Sequence, residues 1–169
     1  MSYTNPCNLV SNPSTTWLGS VPQAKGRFVQ FQNPFYGYRA ALKTLYTYQR
    51  KHGCKTLSSI ITRWAPPSEN DTAAYIRFVS DFIGKSPDYE FTGVMSLSDL
   101  LAAMTIMENS VSDCRRILRY LRANSGRSSV FEMFLPVLES LSEYYSSDDV
   151  FTGDDFMGNI LFRLESYFN

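Results

Sequence analysis

Acidic side chains are missing from residues 1–68 of this 169-residue chain, in which no Asp or Glu precedes Glu69. The same stretch carries eight basic side chains, so the formal net charge of zero hides a basic first part and an acidic remainder. A purely basic segment suggests an anionic partner: a nucleic acid, a teichoic or carboxylate-bearing wall polymer, or the protein's own acidic half. Any carboxylate chemistry must come from Glu69 onward.

Metal-ligating side chains are scarce as well. The chain has three distant cysteines and one histidine, His52, and it contains no C-x-x-C. An odd number of scattered cysteines argues against a disulfide framework, and zinc needs nitrogen and sulfur ligands at a usable spacing. Cysteine–histidine catalysis is conceivable, but His52 follows basic residues and precedes Gly53, where a histidine complements a helix dipole. We expect no metal and no cofactor.

Long apolar runs and an N-terminal leader are also absent. No run approaches the roughly 18 residues needed to span a bilayer, and MSYTNPCN has neither the basic nor the apolar region of a signal peptide. We therefore expect no membrane span and a product made in the cytoplasm. Glycine-rich phosphate loops, G-x-S-x-G and nucleic-acid motifs are missing too, so nucleic-acid binding is not expected.

What the sequence does contain is 44% hydrophobic and 15% aromatic residues, enough for one domain with a buried core. Residues 1–35 are rich in Asn, Pro, Ser, Thr and Gly and show no helical period. Within them RFVQF (27–31) is a candidate strand that can pair with residues 17–21. From Tyr36 onward the periodicity predicts helices. The predicted fold class is mainly α with a small irregular or β-containing N-terminal region.

Helix starts and ends are marked by capping residues and by prolines, which lack a backbone donor and restrict the preceding residue. The predicted boundaries, in chain order, are an end at Gly53, a start at Thr56, an end at Pro66 and Pro67, a start at Asn70 or Asp71, a start at the S-x-x-D box of Ser96 and Asp99, a helix over 113–124, a start at Ser129 and Glu132, and a start at Thr152 and Asp155.

Glu108 is the candidate for acid catalysis. It follows Met104 by four residues and Leu100 by eight, which places it on the apolar stripe of its helix. A carboxyl among apolar neighbours loses hydration, which disfavours its charged form and raises its pKa. A general acid in glycoside cleavage needs that property, because it must hold a proton near neutral pH. The alternative is a Glu in a frayed last turn that points into solvent.

Further candidates surround the junction RWAPPSENDTAAYI (63–76). Glu69 and Asp71 are additional carboxylates, although an acid beside a helix N-terminus equally serves as a cap. Aromatic rings can stack on the faces of sugars, or they can simply belong to the core. The candidate rings are Trp17, Tyr36, Tyr38, Trp64 and Tyr75.

A row of arginines lies on the predicted helix over 113–124. It is either an ordinary solvated face or a surface for phosphates or carboxylates. Its members are Arg115, Arg116, Arg119 and Arg122, opposite the apolar face of Cys114, Ile117, Leu118 and Leu121.

Several stretches together resemble one family: NPCNL (5–9), WLG (17–19), FVQF (28–31), FYGYRAAL (35–42), TLSSIITRWAPPSENDTAAYI (56–76) and VSDFIG (79–84). They are similar to small phage and prophage proteins, many known only as virion structural proteins, which look like lysozyme-like murein hydrolases with circularly permuted segments. In lysozyme-like glucosaminidases and transglycosylases the helix ending in the catalytic Glu precedes an N-x-x-G-type segment and a W-x-G. Here N-P-x-N and W-x-G come first, and the helix ending in AMTIMEN follows.

By this resemblance Glu108 matches the catalytic acid, Asn8 the substrate-side asparagine and Tyr75 a tyrosine of the cleft. The junction from Trp64 to Tyr75 is expected to form one wall of a sugar cleft, with Glu69 and Asn70 fixing its geometry.

The chain also departs from the family pattern. Cys7 and Ser110 stand where the family usually has glycine, and Val10 stands where it often has a basic residue. Larger residues in place of glycines that let a substrate approach would narrow the cleft or accompany lost activity.

The resemblance implies a lysozyme-like domain over 1–110 and a helical, acidic C-terminal extension over 111–169. The expected function is cleavage of the peptidoglycan glycan strand by a lysozyme or lytic transglycosylase route, with Glu108 as general acid. Glu69 is the second carboxylate that a two-carboxylate hydrolase would need. The residues expected to contact the glycan are Asn8, Trp17, Tyr36, Arg39, Trp64, Asn70 and Tyr75.

The alternative is a non-catalytic virion or structural protein, or a protein that binds a host macromolecule, on the same scaffold. From Phe131 to the C-terminus the chain holds eight acids and one arginine, Arg163. The extension over 111–169 can therefore cover the basic half or bind another virion or host protein. We expect the protein to be virion-associated, or released to the periplasm or cell wall.

Overall fold

The computed structural model describes residues 3–22, 26–92, 94–125 and 153–169. The described chain is mainly helical with a small two-stranded sheet near the N-terminus, which confirms the predicted fold class. The elements are β1 (Ser20–Val21), β2 (Gln30–Phe31), α1 (Pro34–His52), α2 (Leu57–Trp64), α3 (Thr72–Ile83), α4 (Val94–Glu108), α5 (Val111–Asn124) and α6 (Gly153–Phe168). The predicted start at Ser129 and Glu132 lies outside the described residues.

The sheet is the predicted hairpin. β1 and β2 are antiparallel, with Ser20 opposite Phe31 and Val21 opposite Gln30. Gly19, just before β1, has a φ of +73°, and a Cβ built there would overlap the ring of Tyr36. The glycine of the W-L-G stretch is therefore required both for its left-handed backbone and for the close approach of the ring.

Helix α1 starts before the predicted position because Asn33 caps it. The Asn33 side chain accepts hydrogen bonds from the backbone amides of Phe35 and Tyr36, and Pro34 occupies the first turn. The helix ends at Gly53, whose φ of +65° gives the left-handed cap that the sequence predicted. His52 lies in the basic last turn, also as predicted.

The junction between α2 and α3 follows the sequence closely. Thr56 and Ser59 form a capping box at the start of α2. Asp71, rather than Asn70, caps α3, since its carboxylate accepts a hydrogen bond of 3.0 Å from the amide of Ala74. Asp71 is thus occupied as a helix cap.

Helix α4 differs from the prediction at both ends. It begins at Val94, so Ser96 lies in its first turn rather than at its cap. Asp99 instead accepts hydrogen bonds from Asn159 (2.7 Å) and Arg163 (3.0 Å) of α6. At the other end Met107, one residue before Glu108, is 37% exposed. Because α4 is apolar around most of its circumference and packs against several helices, its buried residues do not form the single stripe that the sequence predicted.

Helices α5 and α6 complete the described core. Ser110 caps α5 by accepting a hydrogen bond from the amide of Asp113, so the helix starts two residues before the predicted 113. Phe156, Ile160 and Leu164 of α6 are buried in the same apolar cluster as α1 to α4. None of the described helices has both the length and the apolar character needed to cross a membrane.

Candidate active-site groove

Glu108 is the last residue of α4, and its carboxyl receives three hydrogen bonds. The indole Nε1 of Trp64 donates to Oε1 at 3.3 Å, and the hydroxyl of Tyr75 donates to the same oxygen at 3.1 Å. Asn8 Nδ2 donates to Oε2 at 3.1 Å. The predicted acid is therefore a half-buried carboxyl held in one position by donors from three separate segments of the chain.

Burial raises the pKa of the Glu108 carboxyl, and the hydrogen bonds from Asn8, Tyr75 and Trp64 each lower it in part. The direction of the shift shows that lost hydration outweighs the three donors. Burial and the neighbouring Glu108 charge also raise the pKa of Tyr75 well above its ordinary value. The Tyr75 hydroxyl therefore keeps its proton and remains a donor.

Asn8 is positioned by an unusual backbone. Its φ of +52° is the left-handed conformation that asparagine tolerates better than most residues. In this conformation Nδ2 reaches both the backbone carbonyl of Glu108, at 2.6 Å, and its carboxyl. Asn8 Oδ1 is buried and has no hydrogen-bond partner among the described residues. It is a free acceptor beside the acid.

The N-terminal loop that carries Asn8 is fixed by two other asparagines. Asn5 exchanges hydrogen bonds with the backbone of Leu9, and its Nδ2 also donates to the carbonyl of Val29 at 2.8 Å. Asn109 Nδ2 donates to the carbonyl of Pro6 at 2.6 Å. The N-P-x-N stretch is therefore tied both to the hairpin and to the end of α4.

Glu108 lines an open cavity of about 310 Å³, which is called the groove from here on. A volume of this size is at the lower end of those seen for small-molecule sites. Five segments contribute to its lining: the N-terminal loop, the hairpin, α1, the end of α2 with the junction that follows it, and the end of α4. The lining residues are Asn8, Leu9, Val10, Arg27, Phe28, Tyr48, Trp64, Ala65, Pro66, Glu69, Asn70 and Glu108.

The structure brings five of the predicted site residues to this lining: Asn8, Trp64, Glu69, Asn70 and Glu108. Tyr75 is buried and reaches the site through its hydroxyl alone, so its ring offers no face to a sugar. Trp64 has a second role that the sequence did not suggest, because its indole N–H binds the acid.

Three other predicted residues lie outside the lining. Trp17 lines a neighbouring cavity of about 340 Å³, which shares only Phe28 with the groove. Tyr36 packs on the cluster of Leu9, Phe31 and Ala40. Arg39 is half-buried on α1, and its Nε has no hydrogen-bond partner among the described residues.

Tyr48, Arg27 and Phe28 line the groove but were not predicted as site residues. Tyr48 is half-buried, its ring centroid is 6.4 Å from that of Trp64, and the Arg63 guanidinium lies 5.1 Å from its centroid. Tyr48 lies near the end of α1, and the tertiary packing of this helix turns it toward the groove. Arg27 forms an ion pair with Glu69.

The arginine row on α5 lies on the exposed face of that helix, as predicted. Arg122 pairs with Glu165 of α6, and the Arg116 guanidinium lies 4.1 Å from the ring centroid of Tyr3. The ion pairs of α6 within the described chain go to Arg122 and Asp99. Neither partner belongs to the basic residues 1–68.

Comparison with known proteins gives one informative relationship. No family model matches the chain. Over 108 residues the chain is 39% identical to "Protein P5" of Pseudoalteromonas phage PM2, an alignment that covers 62% of this chain and 67% of the phage protein. Neither finding bears on the resemblance to murein hydrolases, which stays a prediction. At this identity and coverage, the chain belongs to the same family as Protein P5 of phage PM2.

Proposed function

We propose that this protein is a virion-associated phage protein that cleaves the β-1,4 glycan of peptidoglycan, with Glu108 as the general acid. Membership of a phage protein family supports the phage setting. One observation carries the chemistry: a carboxyl with a raised pKa lies in a groove of about 310 Å³. A protonated carboxyl next to bound sugar is the requirement for donating a proton to a glycosidic oxygen.

The three donors around Glu108 suit both states of such an acid. Before the reaction, burial raises the pKa of the carboxyl and so favours its protonated form. As the proton moves to the leaving oxygen, negative charge develops on Glu108, and the N–H and O–H groups of Asn8, Trp64 and Tyr75 stabilise it. Donors that are already in place need no reorganisation when the charge appears.

The oxocarbenium-like centre left on the sugar is then captured by a water molecule or by a hydroxyl of the same sugar, and the proton that the attacking oxygen loses goes to a carboxylate of the groove. Capture by the sugar's own hydroxyl is the transglycosylase route, which needs one protein carboxyl. Capture by water in a two-carboxylate hydrolase would enlist Glu69, the other acid of the groove lining. Glu69 is half exposed, whereas Glu108 is half-buried and held by three donors, and this difference favours the transglycosylase route, in which Glu108 acts alone.

Three residues of the groove are assigned to substrate contacts. Asn8 lines the groove, and its Oδ1, a buried acceptor without a partner in the described chain, can accept from a sugar hydroxyl or amide N–H once the side chain turns toward the ligand. The half-buried rings of Tyr48 and Trp64 offer apolar surface for a pyranose face.

A second candidate function is a non-catalytic virion protein that keeps the same groove. Ser110, where the resembling family has glycine, is the cap of α5 directly after the acid-bearing end of α4. A helix cap at this position agrees with a non-catalytic protein whose scaffold serves virion assembly or binds a host macromolecule. The name of the phage relative, Protein P5, mentions no enzymatic activity.

Clearing of purified sacculi distinguishes the two candidates. We expect wild-type protein to reduce the turbidity and release muropeptides, and Glu108→Gln to lose at least about 100-fold in rate. Glu90→Gln, the same change at an exposed Glu outside the groove lining, is the matched control and should retain full activity. Binding to sacculi without muropeptide release by wild type would select the non-catalytic candidate. Equal clearing by wild type and Glu108→Gln would remove Glu108 as the acid.

Virion association is tested separately from catalysis. Particles purified through a density gradient should contain the protein at a fixed ratio to the major coat protein. Its presence only in the unassembled fraction of the lysate would contradict this part of the proposal.

A further inference from the structure

Arg27 and Glu69 form an ion pair that joins two walls of the groove. Arg27 lies just before β2, and Glu69 lies in the junction between α2 and α3. Among the described residues that line the groove, Arg27 is the one cation. A guanidinium gains most from a carboxylate, which it binds through two parallel charge-assisted hydrogen bonds. A neutral sugar offers it no such partner.

The ion pair is of the kind that exchanges readily. The two side chains are 62% and 54% exposed, and exposed pairs contribute little to stability. The Arg27 guanidinium also lies 5.8 Å from the ring centroid of Phe28, another residue of the lining. This contact keeps the cation at the groove while its carboxylate partner changes.

We propose that Arg27 selects glycans that carry carboxylates, because a carboxylate of the bound polymer takes the place of Glu69 on its guanidinium. The inference rests on the proposed function, in that it takes the groove to be a glycan site. Peptidoglycan carries free carboxylates on the stem peptides that are attached to its sugars, whereas chitin-like polymers carry none. Glu69 turns into solvent upon the exchange, which costs little for a side chain that is already half exposed.

Binding is measured in the Glu108→Gln background, so that the polymer is not cut. The two ligands are native sacculi and the same sacculi with their carboxylates converted to amides, which changes the charge and keeps the glycan. We expect the Glu108→Gln protein to bind native sacculi about two- to fourfold more tightly than amidated sacculi, the ratio that a partly exposed charge pair gives. Added Arg27→Gln should abolish this preference, and Arg77→Gln, the same change at an exposed position of α3, should preserve it.

Glu69→Gln in the same background should have the opposite effect to Arg27→Gln on the preference for native sacculi. It removes the internal competitor, so binding of native sacculi should strengthen severalfold while binding of amidated sacculi stays constant. The preference for native sacculi should also decline as the salt concentration rises, because exposed charges are screened.

Three outcomes would overturn the inference. Equal binding of native and amidated sacculi by the Glu108→Gln protein would exclude selection by charge and leave the groove as a glycan site. An equal loss of preference in Arg27→Gln and Arg77→Gln would show that the preference comes from the total basic charge and not from Arg27. Binding of neither ligand would overturn the proposed function together with this inference.

Discussion

The indole nitrogen of Trp64 lies 3.3 Å from Oε1 of Glu108 and donates a hydrogen bond to it. Trp64 ends α2, directly before the Ala65–Pro66–Pro67 turn, and so the helix end fixes the indole beside the acid. The tryptophan and the prolines of this junction thus position the carboxyl as well as forming a wall of the groove.

Replacing Trp64 tests its effect on the acid. In Trp64→Phe the Glu108 anion loses a donor, so the pKa of the carboxyl should rise further, and the alkaline limb of the pH–rate profile should move to higher pH. We expect kcat/KM to fall about five- to tenfold, as roughly 1 kcal/mol of hydrogen bonding is lost. Carbon-13 NMR titration of the Glu108 carboxyl checks the shift without an activity assay. Trp17→Phe, whose ring lies outside the groove lining, should leave the titration unchanged.

The raised pKa of Glu108 makes folding stability depend on pH. The folded protein holds the proton more tightly than the unfolded chain, so the stabilisation is complete below the unfolded pKa, near 4.5, and is lost as the pH rises through the folded pKa. The loss is about 1.4 kcal/mol for every unit by which the two pKa values differ. Urea unfolding of wild type from pH 4 to pH 8 should show this decline, and Glu108→Gln should flatten it. An unchanged slope in Glu108→Gln, with Glu90→Gln as control, would contradict the assignment.

Two neighbouring residues of α6 test whether this helix shares the core of α1 to α4. Ile160 is fully buried, and Ile160→Ala should lower the free energy of unfolding by about 2–4 kcal/mol. Phe162 is 62% exposed, and Phe162→Ala should change stability by no more than about 0.5 kcal/mol. Chemical denaturation followed by circular dichroism measures both. A negligible effect of Ile160→Ala would show α6 to be an appendage with little share in the core.

Two glycines with opposite surroundings test the hairpin. Gly19→Ala places a Cβ against the Tyr36 ring at a positive φ, and it should destabilise the protein by at least about 1–3 kcal/mol. Gly158→Ala, inside α6 with open space around the new Cβ, should instead stabilise by about 0.5–1 kcal/mol. Thermal unfolding of the two variants should give shifts of opposite sign. Equal shifts would contradict the described packing of the hairpin on α1.

Features set by short-range chemistry could be predicted from the sequence. The end of α1 at Gly53, the capping box at Thr56 and the hairpin around RFVQF depend on residues a few positions apart, and all three are present. Glu108 was found because helical spacing alone places it near apolar neighbours. The choice between Asn70 and Asp71 as the cap of α3 needed coordinates, since both residue types cap helices equally well.

Features set by distant contacts could not be predicted. Asp99 was assigned to a helix cap because its spacing from Ser96 fits one, but its partners, Asn159 and Arg163, are more than 50 residues away. Tyr48 and Arg27 reach the groove only through the packing of α1 and the hairpin around α4. A local sequence pattern does not predict contacts between residues so far apart in the chain.

The bonds from Asn8 to Glu108 and from Asn109 to Pro6 each close a loop of about a hundred residues. During synthesis the carboxyl of Glu108 therefore starts as an ordinary hydrated acid, and it acquires its affinity for a proton only after the end of α4 has left the ribosome and met the N-terminal loop. The raised pKa of Glu108 is thus a product of tertiary folding that an unfinished chain does not have.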